Sequence, residues 1–199
     1  MEFTTPSAFA DQADIRRQIC HVFIEGFYWQ LKMLEEDKPT LRAAFEHMFD
    51  LSKFYIAAED STVASVCCIR GGDEAAVALD AAILRKQMGF FTGSIAFWVL
   101  NKNIVKKVYP VEIPQNYGVI DMVSANPAYA GRGVTKALLI HAMKKSPYDG
   151  FILEVLGNNE NAIKLYEKLG FATICRVKAP MFSGAKHIMY MKYDKRRKT

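Results

Sequence analysis

The sequence predicts one domain of the α/β class, α+β-like in the order of its elements. Three observations carry that prediction. Apolar residues recur at three- and four-residue spacing through the first 50 residues, two apolar runs then follow at hairpin spacing, and the second half alternates strand and helix before two closing strands. At 199 residues, 51% hydrophobic and 24% charged, the chain is long and apolar enough for a real core, and far from the make-up of a disordered segment.

In chain order, Ile15, Ile19, Val22, Phe23, Phe27 and Leu31 mark an amphipathic helix. Pro39 sits early in a second one, whose apolar positions are Leu41, Ala44, Phe45, Met48 and Leu51. Apolar runs 54–58 and 63–69 flank Glu59-Asp60-Ser61-Thr62, which is hairpin spacing. Residues 74–106 return to helical composition, broken near Gly89 and Gly93, before Pro110 and Pro114 force an irregular loop. A strand is expected over 117–125, stopped by Asn126-Pro127, because proline lacks a donor and biases its predecessor away from helix. A helix then opens at Gly131, followed by a strand over 151–156, a helix over 159–169, and a hairpin of 171–177 with 186–193 around 180–185.

Charge and special residues exclude several classes. More than half of the formal net charge of +5 sits in residues 194–199, so no basic face for nucleic acid is required of the folded body. A nucleic-acid-binding reading rests on that tail alone. The N-terminus shows no basic segment followed by an apolar one. The most apolar stretch, 88–100, is 13 residues long and interrupted by Thr92, Gly93 and Ser94, short of the roughly 20 a bilayer demands. A cytoplasmic protein without membrane contact is expected. Cys20, Cys67, Cys68 and Cys175 lack C-x-x-C spacing, and Cys67 and Cys68 should point to opposite faces of a strand as core thiols. His21, His47, His141 and His187 form no ligand pair, so no metal is expected.

Chemistry is concentrated after residue 125. Gly131-Arg132-Gly133 lies between a strand and a helix, where residues without Cβ let a ligand reach the backbone and free N–H groups can cradle phosphate. Arg132 and Lys136 would add positive charge at the favourable end of the helix dipole. A turn that serves only tight packing fits the same two glycines. A dinucleotide fingerprint does not fit, since it needs glycine where Lys136 stands, and only one β-α-β unit is present.

Twenty-six residues beyond Gly133 begins Asn159-Glu160-Asn161-Ala162-Ile163-Lys164-Leu165-Tyr166-Glu167-Lys168-Leu169-Gly170-Phe171. A strand ending in Pro127, a G-x-G loop opening a helix and a downstream N-x-x-A-x-x-L-Y-x-K-x-G-F together resemble the GNAT superfamily of acetyl-CoA-dependent N-acetyltransferases. The resemblance covers roughly 117–177, and the two helices and hairpin before it fit the family's N-terminal half in order. The family's Q/R-x-x-G-x-G/A loop falls on residues 128–133, with Ala128 in the first position, and Thr135 stands where many relatives carry glycine.

That resemblance implies a mixed, mostly antiparallel sheet with two splayed parallel central strands flanked by helices. One domain would span 1–194, with residues 74–110 as a helical insertion and 195–199 as a disordered basic tail. It implies transfer of an acetyl group from acetyl-CoA to a primary amine of a small molecule, by direct attack in a ternary complex. Alternatives are a protein or peptide N-terminal acetyltransferase and a non-catalytic CoA-binding module; the assembly would be a monomer or homodimer. Cofactor contacts would come from the backbone of Val123, Ser124 and Ala125, from Gly131, Arg132, Gly133, Val134, Thr135 and Lys136 around the pyrophosphate, and from Asn159 and Tyr166. In the family this strand is bulged and splays from its parallel neighbour, and the Val123 N–H, just before the bulge, is the expected oxyanion donor.

Tyr166 would protonate the leaving thiolate, although the i, i+3, i+4, i+7 stripe of Ala162, Leu165, Tyr166 and Leu169 also suits simple packing. Asn159 serves equally as a helix N-cap. Gly170 is read as a left-handed helix end, with Phe171 folding back onto Leu165 or Tyr166. Asp121 and Glu154 are the strand carboxylates able to take the acceptor's proton; Asp121, placed on one strand face with Val119 and Val123, is expected nearer the carbonyl. Phe23, Phe27, Tyr28, Trp29, Phe90, Phe91, Phe97 and Trp98 are expected to be mostly core, a few lining the acceptor side.

Overall fold

The computed structural model describes residues 1–180 and 183–195. Residues 196–199 of the expected tail and two residues of the 180–185 turn lie outside that range. Lys195 itself is joined to the body: its N–H donates to the Asp149 carbonyl at 2.9 Å and its Nζ to the Ser146 carbonyl at 3.2 Å.

An edge strand β1 (Glu2–Thr4) precedes α1 (Gln12–Leu31) and α2 (Lys38–Phe45). Asp11 and Asp37 cap the two helices by accepting from the N–H of Asp14 and Thr40, which satisfies donors that a helix start leaves without partners. β2 (Phe54–Glu59) and β3 (Thr62–Gly71) form the expected hairpin. Asp60 and Ser61 both take positive φ, 50° and 61°, as the primed turns that match strand twist require.

The segment over residues 74–110 contains α3 (Ala81–Met88), capped by Asp80, and α4 (Phe90–Leu100), which closes in a π-helical turn over Asn101–Val105. It is less helical than the composition suggested. Residues 74–80 are not helix, and Val77 bridges Phe49. Gly89 does separate the helices, at φ 80°, but Gly93 lies inside α4, where a β-carbon would fall about 2.5 Å from the α3 backbone at Leu84. The glycine permits helix contact rather than breaking the helix. The aromatic residues also depart from expectation: Phe23 is buried, yet Phe90, Phe91, Trp98 and Trp29 are 64% exposed or more.

The second half follows the expected order: β4 (Tyr117–Ala125), α5 (Val134–Lys145), β5 (Gly150–Leu156), α6 (Glu160–Leu169), β6 (Ala172–Lys178) and β7 (His187–Asp194). The helix expected from Gly131 starts at Val134, because Gly131 and Gly133 are used in the loop before it.

One mixed seven-stranded sheet runs β1-β2-β3-β4-β5-β7-β6. β4 and β5 are its parallel pair, every other neighbour is antiparallel, and β7 inserts between β5 and β6. β1 was not foreseen; a three-residue strand offers no alternation to detect. Helices cover both faces. Residues of α1 to α4 pack with Phe54, Ile56, Val66 and Cys68, whereas those of α5 and α6 pack with Ala57, Cys67, Leu153 and Val155. Adjacent Cys67 and Cys68 thus enter opposite cores, as strand alternation demands. None of the helices among the described residues is long and apolar enough to cross a membrane.

Candidate active site

β4 and β5 pair only from Tyr117↔Gly150 to Ile120↔Leu153, although β4 continues to Ala125 and β5 to Leu156. Each remains tied to its outer neighbour, β3 or β7. The two strands therefore part in the middle of the sheet, and their facing edges beyond that point have no strand partner. Such edges can pair with an extended polar ligand as if it were another strand.

The parting coincides with a bulge. Cys68 is opposite Asp121 and Val66 opposite Ser124, so Met122 and Val123 together oppose Cys67. Met122 sits at φ 53°, a conformation a non-glycine residue adopts only when its surroundings impose it. The bulge resets the alternation: Met122 packs with the α1 core and Val123 with the α5 core. Asp121, opposite Cys68 on the α1 side, does not share a face with Val123, contrary to the sequence expectation. Ser124 turns its hydroxyl away from the cleft, donating to the Val22 carbonyl of α1 at 2.7 Å. α1 approaches closely there because a β-carbon at Gly26 would overlap Ser124. The Ser124 side chain is thus not available to a ligand.

Beside the parting lies the glycine loop. Gly131 and Gly133 take φ 75° and 72°, and no atom lies within 4 Å of where their β-carbons would stand. Gly133 is the N-cap of α5 and no side chain caps that helix, in contrast to α1, α2, α3 and α6. The first intrahelical bond is Ala137 N–H to the Gly133 carbonyl, so N–H groups over residues 133–136 head the helix without intrahelical partners. An anion fits there on both geometry and dipole. The Arg132 N–H is already used by the Tyr129 carbonyl, and its guanidinium contacts both oxygens of Glu59 at 3.1 Å while lying over the Tyr129 ring. Arg132 is thus not the free cation expected, whereas Lys136 is exposed. Thr135 Oγ1 lies 3.0 Å from Ser65 Oγ, which donates to the Ser124 carbonyl and so ties α5 to β3 and β4. Val134 is buried.

Tyr166 lies on the α5 side, buried against Phe171 at 5.9 Å between ring centroids. Burial, and then the Cys67 thiol and the Asp121 carboxylate, push its phenol well above the ordinary value. Asn159 caps α6 by accepting from Ala162 N–H. Gly170, at φ 97°, ends that helix, with Phe171 N–H donating back to the Tyr166 carbonyl.

On the opposite face, sequence reasoning missed a polar cluster. Arg70 on β3, 4% exposed at its side chain, donates from Nε to Asp121 at 2.7 Å and from Nη2 to the Tyr109 hydroxyl at 2.8 Å. Glu154, the first β5 residue past the last parallel rung, pairs with Lys107 through Oε1, while its buried Oε2 meets no hydrogen-bond geometry among the described residues, although the Tyr190 hydroxyl faces the same carboxylate. Burial and then the Asp121 carboxylate raise the Tyr109 phenol; burial and then Glu154 raise that of Tyr190, opposite Glu154 on β7. Both phenols stay neutral donors over any ordinary pH range. No local signal could have found this cluster, because Arg70, Tyr109, Asp121, Glu154 and Tyr190 come from four strands and a loop.

A parted parallel pair, a bulge at the parting and a glycine-headed helix beside it leave backbone groups in mid-sheet with which an extended, anion-bearing ligand can pair. The profile of the acetyltransferase (GNAT) family matches residues 17–171, and the chain belongs to that family. Its fold is similar to that of smu.2055 from Streptococcus mutans UA159, at 15% identity over 98% of this chain and 99% of that one, with a TM-score of 0.59. It is also similar to an N-acetyltransferase from Staphylococcus aureus Mu50, at 19% identity over 97% and 99% with a TM-score of 0.54. A GNAT-family acetyltransferase from Bacillus cereus ATCC 10987 matches at 15% identity over 98% and 96%, with a TM-score of 0.56. No curated protein matches the sequence.

Proposed function

We propose that the protein transfers an acetyl group from acetyl-CoA to a primary amine of a small molecule, by direct attack within a ternary complex. The observation that carries this is the parting of β4 from β5 after Ile120↔Leu153, beside the uncapped, glycine-headed start of α5. Acetyl-CoA supplies an activated thioester and a pyrophosphate handle. Gly131, Gly133 and the N–H groups over 133–136 hold the pyrophosphate, with Lys136 adding charge. Backbone groups of Val123 to Ala125 pair with the extended arm, and the Val123 N–H, within the bulge, donates to the developing oxyanion. Asn159 contributes what remains of its amide beyond the cap.

Tyr166 approaches from the α5 side and protonates the departing thiolate. A phenol this desolvated is a weak acid, but a thiolate expelled into the same dry cleft is a stronger base than in water, which restores the driving force. The base is assigned to Glu154 rather than Asp121. Asp121 is engaged by a buried guanidinium, whereas Glu154 lies at the first position past the last rung and already holds an ammonium, that of Lys107, on Oε1. Donor and acceptor thus enter from opposite faces of the sheet.

Release of CoA thiol against polyamines, aminoglycosides, amino acids and short peptides tests the proposal. Turnover with small amines is the expected result. Turnover with peptides alone overturns the substrate class, and binding of acetyl-CoA with no turnover favours the non-catalytic module.

A further inference from the structure

The segment between the π-helical turn and β4 crosses the acceptor face in an unusual way. Lys106 and Val108 are exposed, Val108 at 89%, while Lys107 and Tyr109 between and after them are turned inward. The Lys107 ammonium, on a side chain only 15% exposed, is seated on Oε1 of Glu154 and lies 4.9 Å from the centroid of the Tyr109 ring. It therefore occupies, from the same chain, the place on Glu154 that a primary ammonium acceptor would take, with an aromatic face beside its stem.

We propose that Lys107 is itself an acceptor: with acetyl-CoA bound and no external amine present, the protein acetylates its own Lys107 Nζ. The inference rests on the acetyltransferase reading of the cleft. In the reaction Nζ gives one proton to Glu154, and its lone pair forms the N–C bond to the thioester carbonyl carbon. The C–S bond breaks and the second Nζ proton reaches the departing thiolate through Tyr166. The products are the Nζ-acetyl amide, the free thiol of CoA and a proton that Glu154 returns to solvent. Two features favour reaction in cis. Glu154 stands at the first position past the last β4–β5 rung, beside the bulge that holds the proposed oxyanion donor. The Lys107 side chain, only 15% exposed and seated on Glu154, is shielded from a second copy of the chain.

The test incubates the full chain with acetyl-CoA alone and follows intact mass and peptide mapping. One added acetyl group on Lys107 is expected, with exposed Lys106 and Lys102 as internal controls. The first-order rate should be independent of protein concentration, as intramolecular transfer requires. Lys107→Arg, which keeps the ion pair, should abolish that label, and Glu154→Gln should slow it by at least about tenfold. A second readout needs no donor: in the free protein an amine-reactive ester should label Lys106 well ahead of Lys107, and Glu154→Gln should narrow that difference. Labelling that is equal at Lys102, Lys106 and Lys107 and indifferent to Glu154→Gln is chemical acylation and overturns the proposal. So does a bare Lys107 in a protein that binds acetyl-CoA and acetylates added amines, which would leave the enzymatic reading standing. Failure to bind acetyl-CoA, read by calorimetry, ends both.

Discussion

The two sides of the parted sheet are built from different materials. On the α5 side the ligand-facing surface is backbone: two glycines at positive φ, N–H groups heading a helix, and strand edges without partners. On the α1 side it is side chain: a guanidinium held to one carboxylate and one phenol, and an ammonium held to a second carboxylate. Backbone donors cannot be neutralised or repositioned by a neighbour, so they suit an invariant handle such as a pyrophosphate. Side-chain charges must be partnered to be buried at all, so that side is adjustable in specificity and expensive in stability. Damage to the glycine loop should appear as lost ligand affinity, and damage to the buried Arg70–Asp121 pair as lost stability.

The largest expected effect tests that division directly. Arg70→Met leaves Asp121 without its buried partner and should cost about 3 to 5 kcal/mol of stability by chemical denaturation. The double variant Arg70→Met with Asp121→Leu should recover most of it. A single variant of unchanged stability would break the comparison.

Gly133→Val should weaken acetyl-CoA binding by about 100-fold in calorimetry, since a branched residue disfavours φ 72° and its side chain enters the space over the helix start. Wild-type affinity in a folded variant would remove the loop from the site. Tyr166→Phe should lower turnover by about 10- to 100-fold with little change in acetyl-CoA affinity, the signature of a lost proton donor. Equal turnover would leave Tyr166 only its packing against Phe171. Smallest of all, Arg132→Ala removes an exposed pair with Glu59 and should shift stability by less than about 1 kcal/mol in chemical denaturation, with little change in acetyl-CoA affinity by calorimetry.

Much of the backbone-built side was legible in the sequence. The G-x-G spacing, Asn126-Pro127 as the strand stop, and the Asn159-to-Phe171 helix with its glycine end are local signals within a few residues of one another, and each found its place within about three residues. The side-chain side was not legible: Arg70 and Asp121 are 51 positions apart, and nothing near either announces the other. The bulge in β4 was expected from the family resemblance alone; its position at Met122 and Val123 was not legible, because a single positive φ on a methionine leaves no mark in composition, yet it decides which face Asp121 and Val123 occupy.

Periodicity, turn chemistry and glycine placement, all short-range properties of the chain, by themselves determined the class of fold, the order of the major elements, the two-sided core with Cys67 and Cys68 in opposite halves, and the loop at residue 131. The tertiary structure alone decided which charges meet, that β4 leaves β5 after Ile120, that β7 enters between β5 and β6, and that Lys107 lies on Glu154. These depend on contacts closed over tens of residues. There the free energy comes from desolvating and pairing groups that only the finished sheet brings within reach.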